Sequence, residues 1–153
     1  MGTVTIAVVV VLALDFVNTG AFLAFTTMVS PALRDAAEPR AAADLMRDIN
    51  LRAPRSLFMV PFIGAPLAAV FAGVLLVTSG GAEAAPWMIA AIAATLLAFV
   101  VSVAVNIPWN DRLARERDRG ATWSAFTRTW SRANTLRCVL SFLGAVAATV
   151  ALV

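Results

Sequence analysis

Three apolar runs of membrane-crossing length, and a fourth that falls just short, decide most of what this chain can fold into. A hydrocarbon core of about 30 Å takes about 20 helical residues to cross. Thr3 to Val29 is the first run, broken only by Asp15; Ser56 to Thr78 is the second and Trp87 to Ile107 the third. The last, Cys138 to Val153, has sixteen residues. It must therefore draw its inner end from the residues before Cys138, which pulls Arg137 and Asn134 towards the membrane. The balance of 61% hydrophobic to 14% charged residues fits this reading. A soluble domain of 153 residues has no interior large enough for so much apolar surface. Inside lipid each backbone polar group must be satisfied within its own segment, which selects helices. The expected fold is all-α: an integral membrane four-helix bundle forming one domain over 1–153, with spans at approximately 3–29, 56–78, 87–107 and 132–153. The residues before the first run, "MGTVT", lack the basic charge of a leader, so it reads as a permanent span.

The arginines set an orientation. Arg34, Arg40, Arg47, Arg52 and Arg55 lie between spans one and two, and the other seven lie between or at the edges of spans three and four. The tip between spans two and three carries Glu83 alone. By the positive-inside rule both Arg-rich loops are cytoplasmic, and the N and C termini lie outside a cell's inner membrane. The net charge of +3 is then topological, with anionic-lipid contact, rather than a nucleic-acid footprint. Heavy use of Ala and Arg with no Lys points to a GC-rich bacterial coding sequence. In the first basic loop Ala42, Leu45, Ile49 and Ala53 follow helical spacing, and Arg40–Asp44 and Asp48–Arg52 are i,i+4 pairs. An amphipathic helix on the inner surface, between helices 1 and 2, is expected there. Pro61, Gly64 and Pro66 should kink the second span.

The chain has no histidine, and Cys138 is its single cysteine. No disulfide framework or paired-cysteine metal site can be drawn from one copy, and no metal or other cofactor is expected.

Polar residues in the spans then need an explanation. Asp15, midway through the first span, shares a helix face with Asn18; the two form either a proton-handling pair or an interhelical clasp with a neutral carboxyl. Trp123, Trp130, Asn134 and Arg137 are spaced by 7, 4 and 3, one stripe of a helix, with Thr127 between the tryptophans. Trp123 suits an interfacial anchor. Arg137 would either snorkel to the interface or stand as the fixed cation of a pocket. In "VNIPWNDRLA", Pro108 should stop the helix near Asn106, leaving Asn110 to cap "DRLARER". The topology also places Asn50, Asn106, Asn110, Asn134 and Arg137 on one face, where they would surround an apolar-walled pocket.

"FLAFTTMVSPAL", "LMRDIN", "NIPWNDRLA" and "W…W…N..R" occur in this order. Together, from about Gly20 to Arg137, they resemble the anthrone-oxygenase-like family of small membrane proteins. The resemblance marks Pro31, Met46, Asn50, Asn106, Pro108, Asn110, Trp130, Asn134 and Arg137 as family positions. One departure stands out: family members often carry histidine directly after the last motif's Asn, and here that position is Thr135.

The resemblance implies oxidation of a flat phenolic, polyketide-type or quinone-like lipophilic substrate, without a cofactor, at a pocket on the cytoplasmic side. Arg137 with Asn106 or Asn134 would stabilise an oxyanion, and Asp15, or alternatively Asp111, would be the base. Trp130, Asn110, Asn50, Asn18 and Trp123 would contact the substrate. Two alternatives stay open: a non-catalytic lipid- or small-molecule-binding or scaffold protein, and a small proton-coupled exporter, assembled as a homo-oligomer, that uses Asp15.

Overall fold

The computed structural model describes residues 2–79 and 85–153, and among them every regular element is helical. Four helices are long and apolar enough to cross a membrane: α1 (Thr3–Arg34), α3 (Met59–Thr78), α4 (Pro86–Arg115) and α5 (Arg119–Val150). A shorter helix, α2 (Pro39–Arg52), lies between the first two. In the bundle α1 packs on α3 and α5, and α4 packs on the same two, so the four form a ring. The antiparallel path brings both Arg-rich connections to one end, where α2 lies against α5 and the end of α4.

The interior is small and polar where a soluble core would be large and apolar. Ala65, Ala69 and Ala72 of α3, Ala7 and Val11 of α1, and Ala145 and Ala148 of α5 are buried, along with Asp15, Asn106, Asn134 and Arg137. The bulky residues Phe16, Val17, Leu67, Phe71, Leu97 and Leu143 are half-exposed on the outside. In lipid, burying a leucine against a helix gains little over leaving it in acyl chains, so close backbone approach through small residues holds the helices together.

Three local expectations are corrected. First, α4 does not stop at Asn106. Its five residues Ser102–Asn106 widen into a π-turn, and the helix continues through Pro108 to Arg115. Ile107 N–H donates to the carbonyl of Ser102, five residues back. Pro108 lacks an N–H, and its ring would crowd the carbonyl four residues earlier. A ladder already opened just upstream removes both problems. Asn110 is consequently inside the helix and caps nothing. α1 uses the same device: Phe25–Val29 form a π-turn, Ser30 N–H donates to Phe25 O, and Pro31 follows.

Second, α2 is helical as expected but buries Ala42, Ala43 and Met46, while Leu45 remains half-exposed. Those small faces fit against Trp123, Phe126, Trp130 and Leu113. Third, its charges pair differently. Asp44 accepts from Arg119 of α5 at 2.8 Å, and Arg47 pairs with adjacent Asp48 at 3.0 Å. An exposed i,i+4 pair is worth a few tenths of a kcal/mol, so a partner already positioned by helix packing displaces it.

Candidate functional site

A cavity of about 560 Å³, lined by Phe25 of one π-turn and Asn106 of the other, opens between α1, α2, the start of α3, the end of α4 and α5. Phe22, Phe25, Phe58, Met59, Phe62 and Ile107 give it apolar walls. Phe58 and Phe62, one helical turn apart, stack at 5.4 Å, and the edge of Phe22 meets Phe58 at 6.1 Å.

Arg137 is the buried charge in this wall, which the exposed Arg52 and Asp111 also line. It is buried, 6% exposed, so it does not snorkel to the surface. Its Nη1 donates to Ser102 Oγ at 3.1 Å and its Nη2 to Asn134 Oδ1 at 2.6 Å. The guanidinium carbon stands 4.2 Å from the centre of the Phe22 ring and 5.7 Å from that of Trp130. Its Nε has no partner, and among the described residues no carboxylate lies within ion-pair distance. Two neutral acceptors and two ring faces thus hold a cation that makes no direct ion pair among the described residues.

The asparagines divide the work. Asn134 is fully used: its Nδ2 donates to Phe22 O at 2.9 Å and to Thr26 Oγ1 at 2.8 Å, while Oδ1 accepts from Arg137. It positions the guanidinium and ties α5 to α1 just before and within the π-turn. Asn106 donates to Trp130 O at 3.2 Å, and its Oδ1 is buried without a partner. Asn50 donates to Asn110 Oδ1 at 3.0 Å, fastening α2 to α4 at the cavity's edge. Trp130 is already sandwiched, with Phe126 stacked at 6.0 Å and Phe25 tilted against it at 5.6 Å. Its unpartnered group is the edge, Nε1–H. Buried polar atoms in native proteins are almost always paired. Asn106 Oδ1, Trp130 Nε1 and Arg137 Nε are exceptions, and all three belong to residues that line one cavity.

Asp15 is elsewhere. Together with Asn18, Thr95, Ser102 and Ser141 it lines a separate void of about 10 Å³, for which Phe22 and Phe62 form walls on both sides. Thr95 Oγ1 lies 2.5 Å from Asp15 Oδ2 and 2.9 Å from Ala91 O. Thr95 is thus shared between the carboxyl and the backbone of its own helix. Asn18 donates to Pro61 O at 3.0 Å, at the start of α3, which runs through Pro66 without a break. Gly144 closes the site: a Cβ there would fall 2.6 Å from Asp15 Oδ2 and 3.2 Å from Thr95 Oγ1. Trp123 lies apart from both sites, stacked on Phe126 at 5.5 Å and lining a third cleft.

A family model described as anthrone oxygenase matches residues 55–147, well over half of the chain. The chain belongs to the anthrone oxygenase family. No curated protein and no solved structure matches it. Asn106, Asn110, Trp130, Asn134 and Arg137 fall inside the anthrone oxygenase match; Asp15, Asn18 and Asn50 precede it. Thr135 is exposed, and its hydroxyl donates to Ser131 O at 3.0 Å. It faces away from the cavity that Asn134 and Arg137 line, so the missing histidine removes nothing from that wall.

Of the residues singled out by sequence, Asn50, Asn106, Asn110, Trp130, Asn134 and Arg137 share the cavity, while Asp15, Asn18 and Trp123 do not. Sequence reasoning passed over Ser102 and Thr95, the partners of the two buried ionisable groups. A signal existed: Thr95, Ser102 and Asn106 are spaced by 7 and 4, a polar stripe on the third span like that on the fourth.

Proposed function

We propose that this membrane protein of the anthrone oxygenase family oxidises a flat, electron-rich, lipophilic phenol at the Arg137 cavity. The observation that carries the reading is a buried guanidinium without a direct ion pair among the described residues, in an apolar cavity large enough for a three-ring aromatic. A desolvated cation of this kind stabilises negative charge far more than one in water, and it does so without reorganising. An anthrone loses a methylene proton to give a delocalised oxyanion. That anion is electron-rich enough to donate to O₂, forming a carbon–oxygen bond and a peroxide. Loss of water from the peroxide then leaves the new carbonyl. In sum, anthrone and O₂ give anthraquinone and water, and no other oxidant is consumed.

In this reading Arg137 and the Trp130 N–H face the oxyanion, and Asn134 and Ser102 position the guanidinium. Asn106 Oδ1 accepts a substrate hydroxyl. Asp111, the carboxylate that lines the cavity, takes the methylene proton in preference to Asp15, which lies behind Phe22 and Phe62. The gathering of both Arg-rich connections at one end supports a cavity opening on the cytoplasmic side.

The test is anthrone-dependent O₂ uptake and quinone formation by the protein in membranes. Wild type should turn over, and Arg137→Ala should lose about 100-fold, the cost of removing one oxyanion donor. If Arg137→Ala and Asn106→Ala both kept full turnover, the proposal would be wrong. Tight retention of a native lipid with no O₂ uptake across a phenol panel would replace it with a binding role.

A further inference from the structure

A second cleft, unrelated to the Arg137 cavity, lies at the arginine-bearing end between α1 and α5. Its volume is about 660 Å³. Arg34, Arg128 and Arg132 line it together with the hydroxyls of Ser30, Ser124 and Thr127, and no carboxylate does. Arg34 is partly neutralised by Asp35, which accepts from it at 2.9 Å. Its hydrogen bonds and its charge hold the Asp35 carboxyl below the usual carboxylate range. Arg128 and Arg132 have no such partner among the described residues, and as an i,i+4 pair they present two cations side by side.

What lies beyond the cleft identifies its occupant. Continuing along the same face of α5 by helical spacing, Arg128 and Arg132 are followed by Leu136, Val139 and Leu143, each about half-exposed on the outside of the bundle. Across the groove Leu23 of α1 is exposed to the same degree. Cationic and hydroxyl groups at the rim thus run directly into a lipid-facing apolar track. A free inorganic anion would use the first part only. A phospholipid with a negative headgroup uses both.

We propose that this cleft is a binding site for an anionic phospholipid, with its phosphate between Arg128 and Arg132 and its acyl chains along Leu136 and Val139. Basic side chains at a membrane surface contribute about 1 kcal/mol each towards anionic lipid, so the pair is worth about 30-fold in affinity.

The experiment is native mass spectrometry of the full chain in neutral detergent, titrated with phosphatidylglycerol or phosphatidylcholine, with inorganic phosphate as competitor. Wild type should retain phosphatidylglycerol about 30-fold better than the double variant Arg128→Gln with Arg132→Gln. Phosphatidylcholine should bind weakly, and millimolar phosphate should not displace the lipid. Arg117→Gln, outside the cleft, should bind as wild type. Should the double variant fail to fold, Arg128→Lys with Arg132→Lys keeps the charge and should still prefer phosphatidylglycerol. Equal retention by wild type and the glutamine variant, equal binding of the two lipids, or displacement by phosphate would each overturn the assignment. None of these readings depends on anthrone turnover.

Discussion

Asp15 and Arg137 are both ionisable, both buried and both inside the same bundle, yet their surroundings have little in common. Arg137 borders a cavity of about 560 Å³, makes no direct ion pair among the described residues, and leaves its Nε without a partner. Asp15 sits in a void of about 10 Å³, is bonded to Thr95, and is closed in by the bare backbone of Gly144. A charge in a membrane span is usually read as a functional site. What differs here is space for a guest: both sites leave polar atoms without partners, Asp15 Oδ1 and Asn18 Oδ1 among them. Arg137 borders room for a large molecule, and Asp15 has room for about one water.

Variants can break or sharpen this contrast. The largest effect is expected for Arg137→Ala, about 100-fold in quinone formation. Arg137→Lys should recover only part of it, because an ammonium cannot reach Ser102 and Asn134 with one planar fork; a steady-state rate comparison in matched membranes decides this. Next comes Gly144→Ala. Its Cβ would collide with Asp15 and Thr95, and overpacking of this kind costs about 1–3 kcal/mol. Thermal unfolding should move to lower temperature, while turnover per folded molecule stays near wild type. A collapse of turnover in fully folded Gly144→Ala would move Asp15 into the chemistry.

Trp130→Phe keeps the stacked ring and removes its unpartnered N–H. Turnover should fall about 3- to 10-fold, the worth of a single neutral hydrogen bond, with stability nearly unchanged. At the small end is Thr135→Ala, which should leave both rate and stability within error. A large loss of rate there would mean that the outer face of α5 takes part.

The spans were legible because bilayer thickness converts directly into helix length, and charge has few places to go in lipid. The gathering of Asn50, Asn106, Asn110, Asn134 and Arg137 was legible for a related reason: antiparallel helices with basic loops return to the same end. Depth along a helix can be counted from sequence, but access to a cavity also depends on which neighbour stands in the way. Phe22 and Phe62 separate Asp15 from the cavity, and nothing in their residue type announces it. The π-turns were hidden differently. The steric rule for Pro108 is sound, but it predicts a stop only for an α-helical ladder, and a five-residue widening evades it. Likewise, the acid–base pairs expected within α2 give way to Arg119, a partner known only once α5 has docked.

Arg137, and not Asp15, is the charge we propose to face the molecule this protein acts on. The most direct test is the dissociation constant of a hydroxyanthraquinone, measured by quenching of tryptophan fluorescence in wild type, Arg137→Ala and Asp15→Asn. The account predicts binding at least tenfold weaker in Arg137→Ala, about the worth of a charge-assisted hydrogen bond, and unchanged in Asp15→Asn. Weakened binding in Asp15→Asn with wild-type affinity in Arg137→Ala would contradict it.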